Sequence, residues 1–454
     1  MRRFSTEEIA EITGGVASGH AIIDNIATDN RVAREGSLFI AIVGERLDGH
    51  EFIPAAVEAG ASAVLCHKPI ETTVPTILVK DTTQALLDLG RAYRLEHDIP
   101  YVGLTGSVGK TTTKEMIWCV LNAKFTAYKT AGNFNNQIGL PKVLLAMGPE
   151  YNAAVIEMGM NHKGEISNLS KATVPDVGVI TNVGVSHIEN LGSREGILAA
   201  KLEILDGMKP GATLILNKDN DMLKTVVNDN YNLKFFSVED ESAYVHAKDI
   251  TYGDASTTFT AVTPVGSAEV VIPTTGVHNV YNALAAICVG LEYDIPLADM
   301  AVALGNYKPA GMRENIVEKG GVTVIEDCYN ASPDSMKALA ETLKLKGALG
   351  RRKIAVIGDM LELGDYSEEA HRRAGMYMAE AGIDLLITYG KASKFAADEA
   401  RERGLLRVFN FEDKDMLAEK LIDMVKPGDV VAFKASRGMY LEEVITRLYE
   451  SLKD

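Results

Sequence analysis

Short runs of β-branched and other apolar residues alternate along this chain with stretches whose apolar positions recur every three or four residues. Glycine-rich turns separate them. That alternation predicts strands and helices in the βαβ order of an α/β fold. In a first block, SLFIAIVG (37–44) and SAVLCHKP (62–69) read as strands, with a helix HEFIPAAVEAGA (50–61) between them and PTILVKD (75–81) as the closing strand. A second block opens at 99–121 with a buried strand, a glycine turn and a helix. AAVIEMG (153–159), VGVITNVG (177–184) and ATLILN (212–217) follow as further apolar strands. A more polar, β-like stretch (244–262) precedes the helix VYNALAAICVGLEY (280–293). In a third block, VTVIEDCYN (322–330), RKIAVIGDM (352–360), IDLLITYG (383–390) and GDVVAFKAS (428–436) are four strand-plus-turn units separated by helical patterns. The expected domains are 1–82, 83–312 and 313–454, and 454 residues suffice for about three cores. In open parallel sheets ligands bind beyond the carboxyl ends of the strands, so the turns after these runs are where chemistry is sought.

Composition narrows the function classes. With 46 basic against 62 acidic residues the formal charge is −16, the wrong sign for a nucleic-acid-binding surface. No apolar run approaches the length of a membrane span, and the N-terminal MRRFSTEEIAEITGG has no apolar segment of a secretory signal. Cys66, Cys119, Cys288 and Cys328 lie far apart with no CxxC spacing. They read as core thiols in a reducing cytoplasm, not as a zinc site.

The strongest chemical signal is GLTGSVGKTTT, Gly103 to Thr113. It follows a strand and opens a helix, the setting of a phosphate loop. Leu104 stands in the first glycine slot of the strict GxxxxGK[ST] pattern. What remains, Gly106, Ser107, Val108, Gly109, Lys110, Thr111 and Thr112, supplies backbone N–H groups for phosphate oxygens. Lys110 suits the β/γ-phosphates, and the Thr111 hydroxyl suits Mg2+. The competing reading is an ordinary glycine turn. Glu157, at the end of an apolar strand, is either a magnesium partner or a strand-end carboxylate facing water. His187 and Lys201 lie in TNVGVSHIENLGSREGILAAKLEI. By residue type alone they are a structural histidine and a solvated helix lysine.

Taken together, TDNR (28–31), DGHEF (48–52), GSVGKTT, GNFNNQIGLP (132–141), EMGM (157–160), SHIENLG (186–192), AKLEI (200–204), GVHNVYNALAA (276–286), GMRE (311–314), DCYNASPDSM (327–336), GDMLELG (358–364) and FKASR (433–437) resemble the Mur ligase family over essentially the whole chain. These are the ATP-dependent amide-bond formers of peptidoglycan synthesis. Asn30, Ser332 and Ala435 depart from the family pattern. DCYNASPDSM and GDMLELG resemble the branch that adds D-alanyl-D-alanine to UDP-N-acetylmuramoyl-tripeptide.

The resemblance implies a three-domain α/β architecture. A small N-terminal domain takes the UDP-sugar, a central phosphate-loop ATPase domain has a mostly parallel sheet, and a Rossmann-like C-terminal domain closes on ATP and binds the dipeptide. It implies ATP and Mg2+ as cofactors, a cytoplasmic monomer, and no nucleic-acid partner. Thr111 and Glu157 would hold one magnesium, and His187 a second with carbamylated Lys201. Lys110, Glu157, His187 and Lys201 form the catalytic set. Asn279 and Asn282 would approach adenine, and Arg313, Asp327 and Tyr329 would close over ribose and phosphates. Asn135 and Asn136 would sit near the transferred phosphate and the acceptor carboxylate. Thr28, Asp48, Gly49 and His50 would lie toward the UDP end, and Asn330 and Ser335 would touch substrate. Several positions keep a plainer alternative: helix caps for Asn279 and Asn282, a strand-end turn for Asp327, a turn and cap for DGHEF, and a solvated strand end for KASR. At the level of function the alternatives are a related ligase adding a single amino acid or recycled peptide, or a phosphate-loop ATPase that drives a partner.

Overall fold

The computed structural model describes residues 1–44, 46–309, 311–347 and 350–452. The chain divides into two compact units. One comprises 1–105, 125–178 and 202–213; the other comprises 106–124, 179–201 and 214–454.

In the first unit, strands Val16–Ala17, Thr76–Leu78, Ala63–Cys66, Ser37–Ile40 and Asn25–Ala27 form a five-stranded sheet in that order, parallel except at the Val16–Ala17 edge. Its face packs Phe39, Val64 and Cys66 against Ile53 and Ala56 of helix Ile53–Glu58. The chain leaves this sheet through helix Thr82–Leu95. Asp81 caps it by accepting the N–H groups of Thr83 (2.8 Å) and Gln84 (3.0 Å). Replacing Asp81 with alanine is expected to cost about 1 kcal/mol, read as roughly five-fold faster amide exchange in that helix. Gly90 lets the helix lie on helix Gly139–Ala146, because a Cβ there would stand 2.8 Å from Pro141 Cβ. Strand Ala153–Glu157 then runs parallel between Tyr101–Thr105 and Ala127–Lys129, which sets Glu157 opposite Leu104.

In the second unit, helix Lys110–Leu121 packs against helix Val277–Glu292. The polar stretch forms the antiparallel strands Val245–Tyr252 and Thr257–Thr263. Two strands without a strong apolar signal flank them: Asn232–Ser237, parallel to the first, and Gly266–Ile272, antiparallel to the second. A six-stranded sheet follows, ordered Asn315–Lys319, Val322–Glu326, Val430–Lys434, Lys353–Gly358, Leu385–Tyr389 and Val408–Phe411. All its pairs are parallel except the first. The four central strands are apolar on both faces because both faces are covered. Ile325, Ala355, Ile357 and Ala432 meet helices Pro333–Gly347, Ser367–Glu380 and Ser393–Glu402. The alternate residues Val324, Ile354, Val356 and Phe433 meet helices Lys414–Met424 and Glu442–Ser451. Among the described residues, no helix is long and apolar enough to cross a membrane, and no disulfide joins the four cysteines.

Candidate active site

In the second unit the loop from Gly106 to Gly109 leads into helix Lys110–Leu121, whose first turn carries Lys110, Thr111 and Thr112. The loop is braced by 181–184. Ser107 and Val108 N–H both donate to Asn182 Oδ1 (3.0 and 2.9 Å). The Thr181 hydroxyl donates to the Val108 carbonyl (2.7 Å), and Gly184 N–H donates to Ser107 Oγ (2.9 Å). These bonds tie the loop to 181–184 and fix its shape at the start of the helix, using the Ser107 and Val108 N–H groups internally. Lys110 Nζ reaches back to the Gly106 carbonyl (2.8 Å). Both glycines are sterically required. A Cβ on Gly106 would run into the Thr181 hydroxyl; Gly109 has φ 80°, and a Cβ there would stand 2.8 Å from Asn282 Oδ1. Gly106→Ala is therefore expected to weaken ADP binding at least about ten-fold (roughly 1.4 kcal/mol), measured by titration calorimetry.

Lys201, on helix Arg194–Leu202, is not a solvated lysine; only 1% of its surface is exposed. Burial, with the nearby Lys110 ammonium adding to it, holds the Lys201 amine well below the ordinary lysine range. A neutral amine is the form that takes up CO2. The carbamate it would become is a hard, anionic oxygen donor suited to Mg2+. The chemistry of the position thus fits the modified ligand that the resemblance implies. His187 lies at the start of helix Ile188–Leu191 with φ 63°, and its Nδ1 is 2.6 Å from Glu362 Oε2.

Asn279 and Asn282 are internal to helix Val277–Glu292, not its caps. Asn279 is buried and donates to Thr274 Oγ1 (3.1 Å) and Glu314 Oε2 (2.8 Å). Asn282 accepts from the Thr113 hydroxyl (2.9 Å). Glu314 also pairs with His278. The Arg313 guanidinium stacks 3.9 Å from the centre of the Tyr329 ring. Asp327, just beyond strand Val322–Glu326, pairs with Lys434 Nζ at 2.5 Å. Burial pushes the Asp327 carboxyl up to about 6, with Lys434 pulling against it and Glu314 adding to the rise. Asn330 Oδ1 accepts from Ala331 N–H (2.8 Å), and the Ser335 hydroxyl bonds the Ser332 backbone at the start of helix Pro333–Gly347. The KAS stretch is buried: Lys434 holds Asp327, Ala435 lies in the core, and Ser436 Oγ accepts from Leu361 N–H (2.9 Å).

In the first unit Glu157 is 1% exposed, so it is not a solvent-facing carboxylate. Asn135 Nδ2 donates to its Oε1 (2.9 Å). Asn136 Oδ1 accepts from Ile138 N–H (3.2 Å) and Gly139 N–H (2.8 Å), just ahead of helix Gly139–Ala146. Asp48 caps the Gly49–Phe52 turn. His50 Nε2 accepts from His67 N–H (3.2 Å), so Nδ1 carries the proton donated to Asp48 Oδ1 (2.6 Å); Lys68 holds the other carboxylate oxygen (2.7 Å). These bonds give DGHEF the turn-and-cap role at least. Thr28 Oγ1 accepts from Lys142 Nζ (3.2 Å). Sequence reading passed over Asn182, Glu314, Glu362, Lys434 and Lys68. All but Lys68 fall inside or beside quoted motifs, which was the only signal for them.

Comparison with known proteins identifies the family. Residues 9–94 match the model of the Mur ligase family catalytic domain, 104–290 the Mur ligase middle domain, and 312–437 the Mur ligase glutamate ligase domain. A UDP-N-acetylmuramoyl-tripeptide–D-alanyl-D-alanine ligase of Bacillus subtilis is 40% identical over 99% of both chains, and the protein of that name from Escherichia coli is 35% identical over 99% of both. Among solved structures, MurF from Acinetobacter baumannii superposes with TM-score 0.91 at 32% identity, covering 99% of each chain. MurF ligase from Thermotoga maritima in complex with ADP superposes with TM-score 0.83 at 31% identity, covering 94% of this chain and 97% of that one. The α/β, three-domain architecture read from the motifs is the one these structures share. With its phosphate loop, its buried Lys201 and full-length relatives at this identity, the chain belongs to the Mur ligase family.

Proposed function

We infer that this chain joins D-alanyl-D-alanine to UDP-N-acetylmuramoyl-tripeptide at the expense of ATP, releasing ADP and phosphate, in peptidoglycan precursor synthesis. The observation that carries the reading is the full-length likeness to relatives all bearing that name. The phosphate loop and the buried Lys201, whose amine burial holds well below the ordinary lysine range, supply the chemistry it needs. The acceptor's terminal carboxylate is ionised at neutral pH and needs no protein nucleophile. It attacks the γ-phosphorus, ADP departs, and an acyl phosphate remains. The dipeptide amine then attacks the acyl carbon, loses a proton, and expels phosphate. The N-terminus of helix Lys110–Leu121 and the Lys110 ammonium hold phosphate oxygens as charge moves onto the leaving group. Thr111, Glu157, His187 and carbamylated Lys201 are the residues that would hold Mg2+, which would supply further charge neutralisation. Asn279 and Asn282 take the adenine side, and Arg313, Asp327 and Tyr329 the ribose and phosphates. Asn135 and Asn136 face the acceptor carboxylate. Thr28, Asp48, Gly49 and His50 serve the UDP end, and Asn330 and Ser335 serve the incoming dipeptide.

The division of labour follows 1–82 for UDP-sugar, 83–312 for ATP and 313–454 for the amine. The enzyme works as a cytoplasmic monomer. Phosphate release from ATP, measured with each substrate alone and with both, tests the reading together with product mass. Release that requires both, with the pentapeptide nucleotide formed, is expected. Release with no new amide bond points to a partner-driving ATPase instead, and ligation of another amine keeps the family but changes the branch.

A further inference from the structure

Two residues that are not glycine adopt the left-handed backbone conformation and face each other: His187 at φ 63° and Glu362 at φ 62°. That conformation costs an L-residue about 1–2 kcal/mol, so the surrounding structure must hold both in place. The turn carrying Glu362 is held on each side. Met360 N–H donates to Nε2 of the buried His371 (2.9 Å), whose Nδ1 lies 2.7 Å from the Ser367 carbonyl and so bears the ring proton. Leu361 N–H donates to Ser436 Oγ (2.9 Å), and Ser436 N–H returns a bond to the Asp359 carbonyl (3.2 Å). An apolar seam joins this turn to the histidine's segment: Val185 shares a core with Met360 and Leu363, and Ile188 packs against it.

We propose that Glu362 is a positioning residue for His187. A carboxylate can only accept, so the 2.6 Å contact places the imidazole proton on Nδ1. Nε2 is then left with its lone pair as the donor atom for a divalent cation. The inference rests on the reading of His187 as a metal ligand. It goes further by making the GDMLELG turn an outer layer of that site, so the histidine is correctly aimed only when this turn is docked.

The test uses the full-length protein with Mn2+ and a non-hydrolysable ATP analogue, counting bound Mn2+ by electron paramagnetic resonance. The His187 ring is followed in parallel by 15N NMR. Two Mn2+ ions are expected on the parent. Glu362→Ala is expected to weaken one of them about 10- to 100-fold, to spare the other and the nucleotide, and to release the His187 ring from its Nδ1–H form. Glu362→Gln, which keeps an acceptor oxygen and the side-chain shape, is expected to fall between. Two ions bound with parental affinity by Glu362→Ala, or an unchanged ring tautomer, overturns the role of Glu362 alone. A parent that binds a single Mn2+ overturns this proposal together with the metal reading of His187.

Discussion

Replacing Lys110 with alanine is expected to lower ligation by about a thousandfold or more, a loss of about 4 kcal/mol in the transition state. The ammonium is the one cation that the phosphate loop itself carries, at the first residue of helix Lys110–Leu121. Charge that builds on the β/γ-bridging oxygen must be met there by groups already in place. The change also removes the Nζ contact to the Gly106 carbonyl, so the loop could relax as well as lose charge. Thermal unfolding and ADP binding separate the two effects. Turnover should collapse with unfolding within a few degrees of the parent and ADP still bound. Near-parental ligation by this variant would remove the phosphate-loop assignment.

At Lys201 the largest effect should follow charge, not size. The side chain is buried, and methionine fills similar space without a polar end. Lys201→Met should therefore fold normally and lose about 10²–10³-fold in turnover, as expected when one preorganised charged group is deleted from such a site. Lys201→Glu places a carboxylate near where the carbamate would stand and should keep more activity than the methionine variant. Parent protein equilibrated with 13C-bicarbonate should show a carbamate carbon by NMR that is absent from Lys201→Met. A parent without that resonance, or a methionine variant as active as the parent, would return Lys201 to the role of a buried helix residue.

What could be read in advance follows from the range of the interactions involved. The strands Ser37–Ile40, Ala153–Glu157, Lys353–Gly358 and Val430–Lys434 were legible because they are buried on both faces and read as unbroken apolar runs. Asn315–Lys319 and Gly266–Ile272 went unread: each pairs on one side only, and polar or exposed positions break its apolar run. The phosphate loop was legible because its geometry is local. Asn182, 75 residues from the N–H group of Ser107 that it meets, carries no such mark. The same holds for Glu362, which is 175 residues from His187, and for Lys434, which is 107 residues from Asp327. Such side chains acquire meaning only when the fold brings their partners to them.

The interlacing of the two compact units bears on how the protein is made. The unit that begins at Met1 closes only with residues 202–213, because 106–124 and 179–201 belong to the other. Strand Tyr101–Thr105 leaves the ribosome before its parallel neighbour Ala153–Glu157 exists. At about 5–20 residues per second, completing the unit from residue 105 takes roughly 5–20 s. For roughly the first 3–10 s of that interval, until Glu157 is made, the nascent chain carries an apolar strand without this partner, the sort of edge that invites chaperones or aggregation. Slow translation through 106–153 prolongs that exposure, so yield in a heterologous host should respond to codon choice there more than in the last hundred residues.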